Sequence, residues 1–96
     1  MRRLYVVTYD ISDPKRLRRV FRTLKGYGEH LQLSVFRCDL TPSQRLQLAA
    51  KLDQTIDHSE DQVMFVDLGP SDGRSHTIVY LGRPGPSSEP RGPQVF

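Results

Sequence analysis

The feature that most constrains the fold is a short N-terminal segment that is apolar on both of its faces. Within residues 3–9, one face carries Leu4 and Val6 and the other carries Tyr5 and Val7. A strand that is open to water on one side alternates apolar with polar side chains, so this segment needs cover on both sides. We therefore predict a central core strand, covered by helices or by a partner chain.

A basic helix is predicted directly after this strand. Asp13 can cap it, and Pro14 suits its first turn. Apolar side chains recur at the i, i+3, i+4, i+7 spacing, at Leu17, Val20, Phe21 and Leu24, and the helix ends at Gly26 and Gly28. Its other faces carry six basic residues and no acid, namely Lys15, Arg16, Arg18, Arg19, Arg22 and Lys25. The sequence thus predicts a strongly cationic helix over residues 14–25.

Further strands and a second helix follow. The predicted strands cover residues 31–38, 62–68 and 77–81. Thr41 opens the second helix, with Pro42 at its first position and Gln44 placed to complete a capping box. The apolar stripe of this helix is Leu48, Ala49, Leu52 and Ile56.

This order of elements favours a twisted sheet with both helices on one face. We predict an α+β fold, a ferredoxin-like βαββαβ sandwich with an additional C-terminal strand, built from residues 1–82 and assembled as a homodimer. The fold requires a hairpin within residues 29–40, which could hold two short strands or one bent strand but contains no turn signal. Residues 83–96 form a predicted Gly/Pro-rich tail, either disordered or extended along a neighbouring surface.

Charge is distributed unevenly along the 96 residues, a length that suits one domain. Residues 1–48 hold ten Lys or Arg against four Asp or Glu, whereas residues 49–96 hold four against seven. The sequence pI near 9.4 therefore combines a basic front half with an acidic back half. A localised basic face suggests a polyanionic partner, for which nucleic acid is the usual choice, although a merely solvated helix face is the alternative.

The single cysteine, Cys38, excludes an intramolecular disulfide and fits a reducing compartment. It is not joined by His30, His58 and His76 in any spacing typical of a zinc site. No apolar run approaches the roughly 18 residues of a membrane span, and the apolar N-terminal run is too short for a signal peptide. We expect a cytoplasmic protein.

Asp10 ends the first strand just before the basic helix. Carboxylate oxygens bind hard cations such as Mg²⁺, while Lys and Arg neutralise nearby phosphates, so this arrangement suits a metal brought to a phosphodiester. The alternative is that Asp10 only marks a strand end, and that Asp13 is a helix cap. No other residue is an evident general base.

Four sequence motifs stand in a characteristic order. Tyr9-Asp10-Ile11-Ser12-Asp13 ends the first strand, the basic helix contains Arg19-Val20, and Gln32-Leu33-Ser34-Val35-Phe36 and a strand from Asp61 to Leu68 follow. These motifs resemble those of the small CRISPR-associated Cas2 family. The similarity covers residues 3–82. The position before the Gln32 strand, often Arg in the family, is His30 here, which puts one phosphate contact in doubt or makes it pH-dependent.

The resemblance implies a homodimer that acts in CRISPR spacer acquisition with the integrase subunit Cas1. It also implies a metal-dependent endonuclease, acting on RNA or double-stranded DNA, in which Asp10 is the catalytic metal ligand and Mg²⁺ the cofactor. Two Asp10 copies would face each other across the dimer. The candidate nucleic-acid-binding residues are Arg16, Arg18, Arg19 and Arg22, and the candidate substrate contacts are Tyr9, Ser34 and Phe36.

Several alternatives stay open. For Tyr9 and Phe36 the alternative is core packing, and for Ser34 it is a polar strand position. A non-catalytic bridge that binds duplex DNA and integrase subunits shares the fold and the basic surface with a nuclease. An RNA-binding domain of similar topology would show stacking aromatics on exposed central strands, which are missing from this pattern, and a small-molecule sensor would leave the basic helix unexplained.

The C-terminal region, from residue 77 onward, is predicted to contribute to assembly of the homodimer. We expect the strand at residues 77–81 to pair with the sheet of the other protomer, because such an exchange covers an exposed sheet edge. The apolar Val95 and Phe96 suggest that the tail docks on that protomer or on the integrase subunit.

Overall fold

The computed structural model describes residues 1–71 and 78–86. Its elements are β1 (Arg3–Asp10), α1 (Pro14–Lys25), β2 (Glu29–Gln32), β3 (Val35–Leu40), α2 (Pro42–Thr55) and β4 (Gln62–Pro70). The four strands form one antiparallel sheet in the order β2-β3-β1-β4, so β1 is central. The predicted βαββαβ order and the ferredoxin-like fold are confirmed.

Local capping fixes where both helices begin. The Asp13 carboxylate accepts a hydrogen bond from the Arg16 backbone N–H at 2.9 Å, and Pro14 follows it. Thr41 and Gln44 form the predicted capping box through reciprocal bonds of 2.9 and 3.1 Å. These bonds satisfy backbone N–H groups that have no partner inside a helix, so the predicted starts at residues 14 and 42 are confirmed.

The prediction of one continuous strand over residues 31–38 is wrong, because the chain turns between β2 and β3. Leu33 lies in this turn with a φ of 36°. Gly or Asn usually marks such a turn, because a bulky side chain rarely adopts the left-handed region, so the leucine here gives no turn signal in the sequence. The carbonyl oxygen of the next residue, Ser34, accepts a hydrogen bond from the Tyr9 N–H at 3.2 Å. The hairpin that the fold requires is therefore present.

One face of the sheet forms the core with the helices. Tyr5, Val7 and Tyr9 point to this side from the central strand, and all three are buried. They pack in a cluster with residues of both helices and of β3, namely Val20, Leu24, Phe36, Cys38, Leu40, Leu48 and Leu52. Both helices consequently lie on one side of the sheet, as predicted.

The opposite face of the sheet has no helix over it. We call this surface the open face; its residues on the two paired strands are Val6, Thr8, Asp10, Gln62, Met64 and Val66. Met64 and Val66 are 50% and 39% exposed. The helices thus cover the central strand on one side only; on the other side Leu4 is buried within the chain, whereas Val6 is half-buried with no helix over it.

The predicted C-terminal strand, as far as the structure describes it, is not part of the sheet of its own chain. Residues 78–81, the described part of the expected last strand, are in no strand of this chain, and Val79 and Leu81 are exposed. A strand requires a backbone partner, and these residues have none in the sheet of their own chain. Thr77, His76 and residues 87–96 lie outside the described residues, so pairing with another protomer and a boundary at residue 82 stay predictions. Neither helix in the described ranges is long and apolar enough to cross a membrane.

Gly28 offers a test of how tightly α1 is joined to the sheet. A Cβ at this position would lie 2.5 Å from both the Arg37 carbonyl oxygen and the Cys38 Sγ. We expect Gly28→Ala to destabilise the fold by about 1–3 kcal/mol, as overpacking does. Gly26→Ala is the matched control, because its Cβ would meet only the Thr23 carbonyl at 3.4 Å. Equal urea midpoints for the two variants would contradict this packing.

Candidate nucleic-acid and metal site

Asp10 is the last residue of β1 and lies on the open face. It pairs with Gln62 in the sheet register, and its side chain is exposed. Its carboxylate makes no hydrogen bond or ion pair with any of the described residues. The carboxylate is therefore available to bind a cation or a partner.

Asp61 anchors the loop that follows Asp10, a role that the sequence pattern did not reveal. Its carboxylate, fully buried, accepts hydrogen bonds from the Arg16 Nε at 2.7 Å and from the Ser12 and Asp57 backbone N–H groups at 3.1 and 2.8 Å. The hydrogen bond from Arg16 holds the pKa of Asp61 far below its usual range. Since Asp61 adjoins Gln62, the strand partner of Asp10, this network fixes the chain on both sides of Asp10.

Arg16 consequently has a structural role beside the predicted phosphate contact. Its guanidinium contacts Asp61, and it lies 3.7 Å from Glu60 and 3.2 Å from the Ser12 Oγ. Burial of the Asp61 carboxylate leaves this guanidinium as its charged partner. Binding of phosphate by Arg16 stays a prediction, but the residue is already engaged within the chain.

The other three predicted arginines are free. Arg18, Arg19 and Arg22 are exposed on α1, and none has an ion pair or hydrogen bond within residues 1–71 and 78–86. Guanidinium groups on one exposed helix can contact successive phosphates without reading sequence. The helix therefore presents the cationic surface that the sequence predicts.

The three candidate substrate contacts lie on the helix side of the sheet, opposite Asp10. Phe36 is 0% exposed and packs against the Tyr9 ring at a centroid distance of 6.3 Å, so its position favours core packing over substrate contact. Burial raises the pKa of the Tyr9 hydroxyl. Tyr9 and Ser34 line an open apolar cavity of about 430 Å³, so contact through them stays a prediction.

His30, which replaces the basic residue expected before the hairpin turn, is held by neighbouring rings. Its ring centroid lies 4.9 Å from both Phe21 and Phe36, and its Nε2 lies 2.8 Å from the Leu33 carbonyl oxygen. These contacts support the hairpin turn. The structure thus gives His30 a packing role at the position where a phosphate contact was in doubt.

The residues fit a divalent cation only in part. Within the described ranges, no group of three or more His, Cys, Asp or Glu could hold a metal ion. Mg²⁺ does not require such a cage, because it commonly keeps several waters and binds one or two carboxylates. Among the described residues, each chain offers such an ion one carboxylate without a partner, that of Asp10, so a second copy would be needed to supply two.

The fold and this surface define a small ferredoxin-like protein with a basic first helix and a free carboxylate at the end of its central strand. Residues 1–74 match the family model of CRISPR associated protein Cas2. The chain therefore belongs to the Cas2 family.

Individual relatives agree with this assignment. A CRISPR-associated endoribonuclease Cas2 of Rhodospirillum rubrum is 48% identical over 82% of this chain and 78% of the relative. A solved structure of a hypothetical protein from Thermus thermophilus aligns with a TM-score of 0.76 and 32% identity, covering 90% of this chain and 96% of that one. A chain from a partial Cas6-RT-Cas1–Cas2 complex aligns with a TM-score of 0.63 and 31% identity, covering 79% of this chain and 90% of that one.

Replacing Asp61 tests the loop anchor. Because the pKa of Asp61 is lower in the folded chain than in the unfolded chain, the ionised carboxylate stabilises the fold at any pH above the pKa of the unfolded state, about 4. This stabilisation is lost as the pH falls toward the pKa of the folded state. We expect Asp61→Asn to lower the Tm at pH 7 by roughly 5–15 °C. The difference from the parent protein should shrink as the pH is lowered from 5 to 3 in thermal melts.

The matched control is Asp53→Asn, because Asp53 pairs with His58 on an exposed surface. Exposed pairs contribute little, so its Tm should stay close to that of the parent protein. Equal Tm values for Asp61→Asn and Asp53→Asn would contradict the anchor.

The role of the basic helix α1 can be tested by the salt dependence of nucleic-acid binding. We expect the triple substitution of Arg18, Arg19 and Arg22 by Ala to weaken nucleic-acid binding. The plot of log affinity against log salt concentration should also become less steep, its slope falling in magnitude by about 2–3, since each phosphate contact contributes about 0.7–0.9. Fluorescence anisotropy between 50 and 300 mM NaCl measures this slope. A slope unchanged from the parent protein, with an unchanged Tm, would rule out α1 as the phosphate-binding surface.

Proposed function

We propose that this protein acts in CRISPR spacer acquisition as a homodimer with the integrase subunit Cas1, and that it is a Mg²⁺-dependent endonuclease on RNA or double-stranded DNA. The endoribonuclease name of the Rhodospirillum rubrum relative and the Cas1–Cas2 complex that contains a similar chain support the proposal. The basic α1 is suited to the nucleic acid.

The observation that carries the proposal is the position of Asp10 on the open face. The apolar side chains of Val6, Met64 and Val66 share this face with a carboxylate that has no partner among the described residues. A second copy packed on the open face would bury the apolar side chains and bring two Asp10 carboxylates together. The hydrophobic effect would thereby assemble an acidic pair that neither chain holds alone.

Chemistry at this pair would need a bound cation, which Asp10 of each chain would hold with water completing its coordination. When bound, such an ion polarises a phosphoryl oxygen and lowers the pKa of a bound water. The protein itself would orient the phosphodiester through Arg18, Arg19 and Arg22. The hydrogen bonds of Asp61 would keep the end of β1, which carries Asp10, and the start of β4 in place.

A non-catalytic bridge is the second candidate. It is favoured by the small number of chemical groups near Asp10, since the neighbours in the described sheet are Thr8 and Gln62 rather than a second acid or a base. Such a protein would use the same dimer and the same basic helix to hold duplex DNA between integrase subunits. In both cases we expect the protein to work in the cytoplasm.

The dimer interface can be tested on the open face. We expect Met64→Glu to shift the protein from dimer to monomer, because it would bury a charge in an apolar contact. Sedimentation velocity at micromolar concentration measures the change. Leu46→Glu on α2 is the matched control, since Leu46 is also apolar and exposed, at 61% against 50% for Met64, but lies on a helix. A parent protein that sediments as a monomer would refute the proposed assembly.

The catalytic proposal is tested by Asp10→Asn, which keeps the side-chain volume and removes the charge. We expect it to reduce Mg²⁺-dependent cleavage of RNA or duplex DNA by at least about 100-fold while the dimer is retained. Asp53→Asn, a change of the same chemistry on α2, should keep the parent rate. If the parent protein binds nucleic acid but cleaves neither substrate, the bridge is the correct function.

A further inference from the structure

An apolar groove lies between α1 and the turn that joins β2 to β3. Its volume is about 430 Å³, within the range typical of small-ligand sites. It is lined by Tyr9, Leu17, Arg18, Phe21, Leu33 and Ser34. Two aromatic rings and two leucines thus meet one guanidinium in an open cavity on the helix side of the sheet.

The exposure and backbone conformation of Leu33 favour a binding role for this groove. Its side chain is 85% exposed, and its backbone has a φ of 36°. A leucine gains nothing from exposure, and the left-handed conformation costs about 1 kcal/mol or more for a residue with a Cβ. The turn therefore holds an apolar side chain at the rim of the groove in a position that the isolated chain does not favour.

The charge beside the groove indicates an anionic occupant. Arg18 lines the groove and has no partner within residues 1–71 and 78–86. Arg22 and Lys25 follow it at the i+4 and i+7 positions, so the same side of α1 stays cationic, and the Lys25 Nζ lies 5.9 Å from the Phe21 ring centroid. The site combines apolar and aromatic walls with a row of positive charge, which complements a flat base attached to phosphates.

We propose that the groove binds one unpaired base of a single-stranded nucleic acid, with Arg18 contacting the adjoining phosphate. The face of the base packs against the side chains of Tyr9, Phe21 and Leu33. These contacts do not distinguish the hydrogen-bonding edges of different bases, so the site accepts different bases. This inference rests on the proposed function, because it assigns part of the nucleic-acid substrate to the helix side of the sheet, opposite Asp10.

The groove and the candidate catalytic carboxylate lie at the same end of β1. Tyr9 lines the groove on one side of β1, and Asp10, the next residue, points to the other side. Consecutive Cα atoms are about 3.8 Å apart, so the backbone at the end of β1 joins the groove to Asp10, although the side chains of Tyr9 and Asp10 lie on opposite faces of the sheet. A nucleic acid with one base in the groove would have to continue around the end of β1 to reach Asp10.

The experiment compares binding of two otherwise identical single-stranded oligonucleotides, one with all its bases and one with abasic sites, to the Asp10→Asn dimer. The comparison is made once with RNA and once with DNA, which tells the two sources apart. We expect the complete oligonucleotide to bind about 5- to 20-fold more tightly. Adding Leu33→Asn should remove most of this advantage and leave abasic binding unchanged, whereas Arg18→Ala should weaken both.

Leu33→Asn separates binding from folding, because Asn tolerates the left-handed conformation and should raise the Tm rather than lower it. Leu46→Asn, an exposed leucine on α2, is the control and should leave both affinities unchanged. Equal affinity for the two oligonucleotides would overturn the groove assignment. A Leu33→Asn variant that changes the monomer–dimer equilibrium and not the base-dependent affinity would also overturn it, because the groove would then be a contact between copies.

The two proposals fail separately. If the parent protein cleaves RNA or DNA yet binds abasic and complete strands alike, the groove assignment is wrong and the nuclease stands. If complete strands bind more tightly and Leu33→Asn removes the difference, the groove assignment stands even when the parent protein shows no cleavage.

Discussion

The structure depends on the unequal cover of its central strand. β1 is apolar on both faces, but the helices bury only the side that carries Tyr5, Val7 and Tyr9. On the other side, Met64 and Val66 of β4 are exposed and Val6 of β1 is half-buried, on the same face as Asp10. Because burial of apolar surface is the main driving force for association, the same uncovered surface would, in the proposed dimer, place the candidate metal ligand at the contact between the two copies.

A second requirement is that the loop after Asp10 is fixed. Asp61 provides this by accepting hydrogen bonds from Ser12, Arg16 and Asp57, which joins the start of α1 to the start of β4. Arg16 is thereby set apart from Arg18, Arg19 and Arg22, although all four look alike in sequence. The result is a division of the basic helix into one residue that holds the fold and several that are free for phosphate.

Much of the fold follows from local rules that can be read in the sequence. Asp13-Pro14 and the Thr41–Gln44 capping box fix both helix starts within a few residues, so these predictions are confirmed. The hairpin turn at Leu33 could not be found, since a leucine with positive φ carries no turn signal. Asp61 was equally hidden, because its partners Ser12 and Arg16 are distant in sequence and only the sheet register brings them together. Phe36 was a candidate contact by motif, and its burial depends on packing of three elements.

The central claim is that two Asp10 carboxylates meet on apposed open faces and hold one cation between them. Isothermal titration of the purified parent protein with Mg²⁺ measures this most directly. The account predicts one ion bound per two chains, with binding lost in Asp10→Asn and in monomeric Met64→Glu. One ion bound to each chain, or binding that survives either substitution, would contradict it.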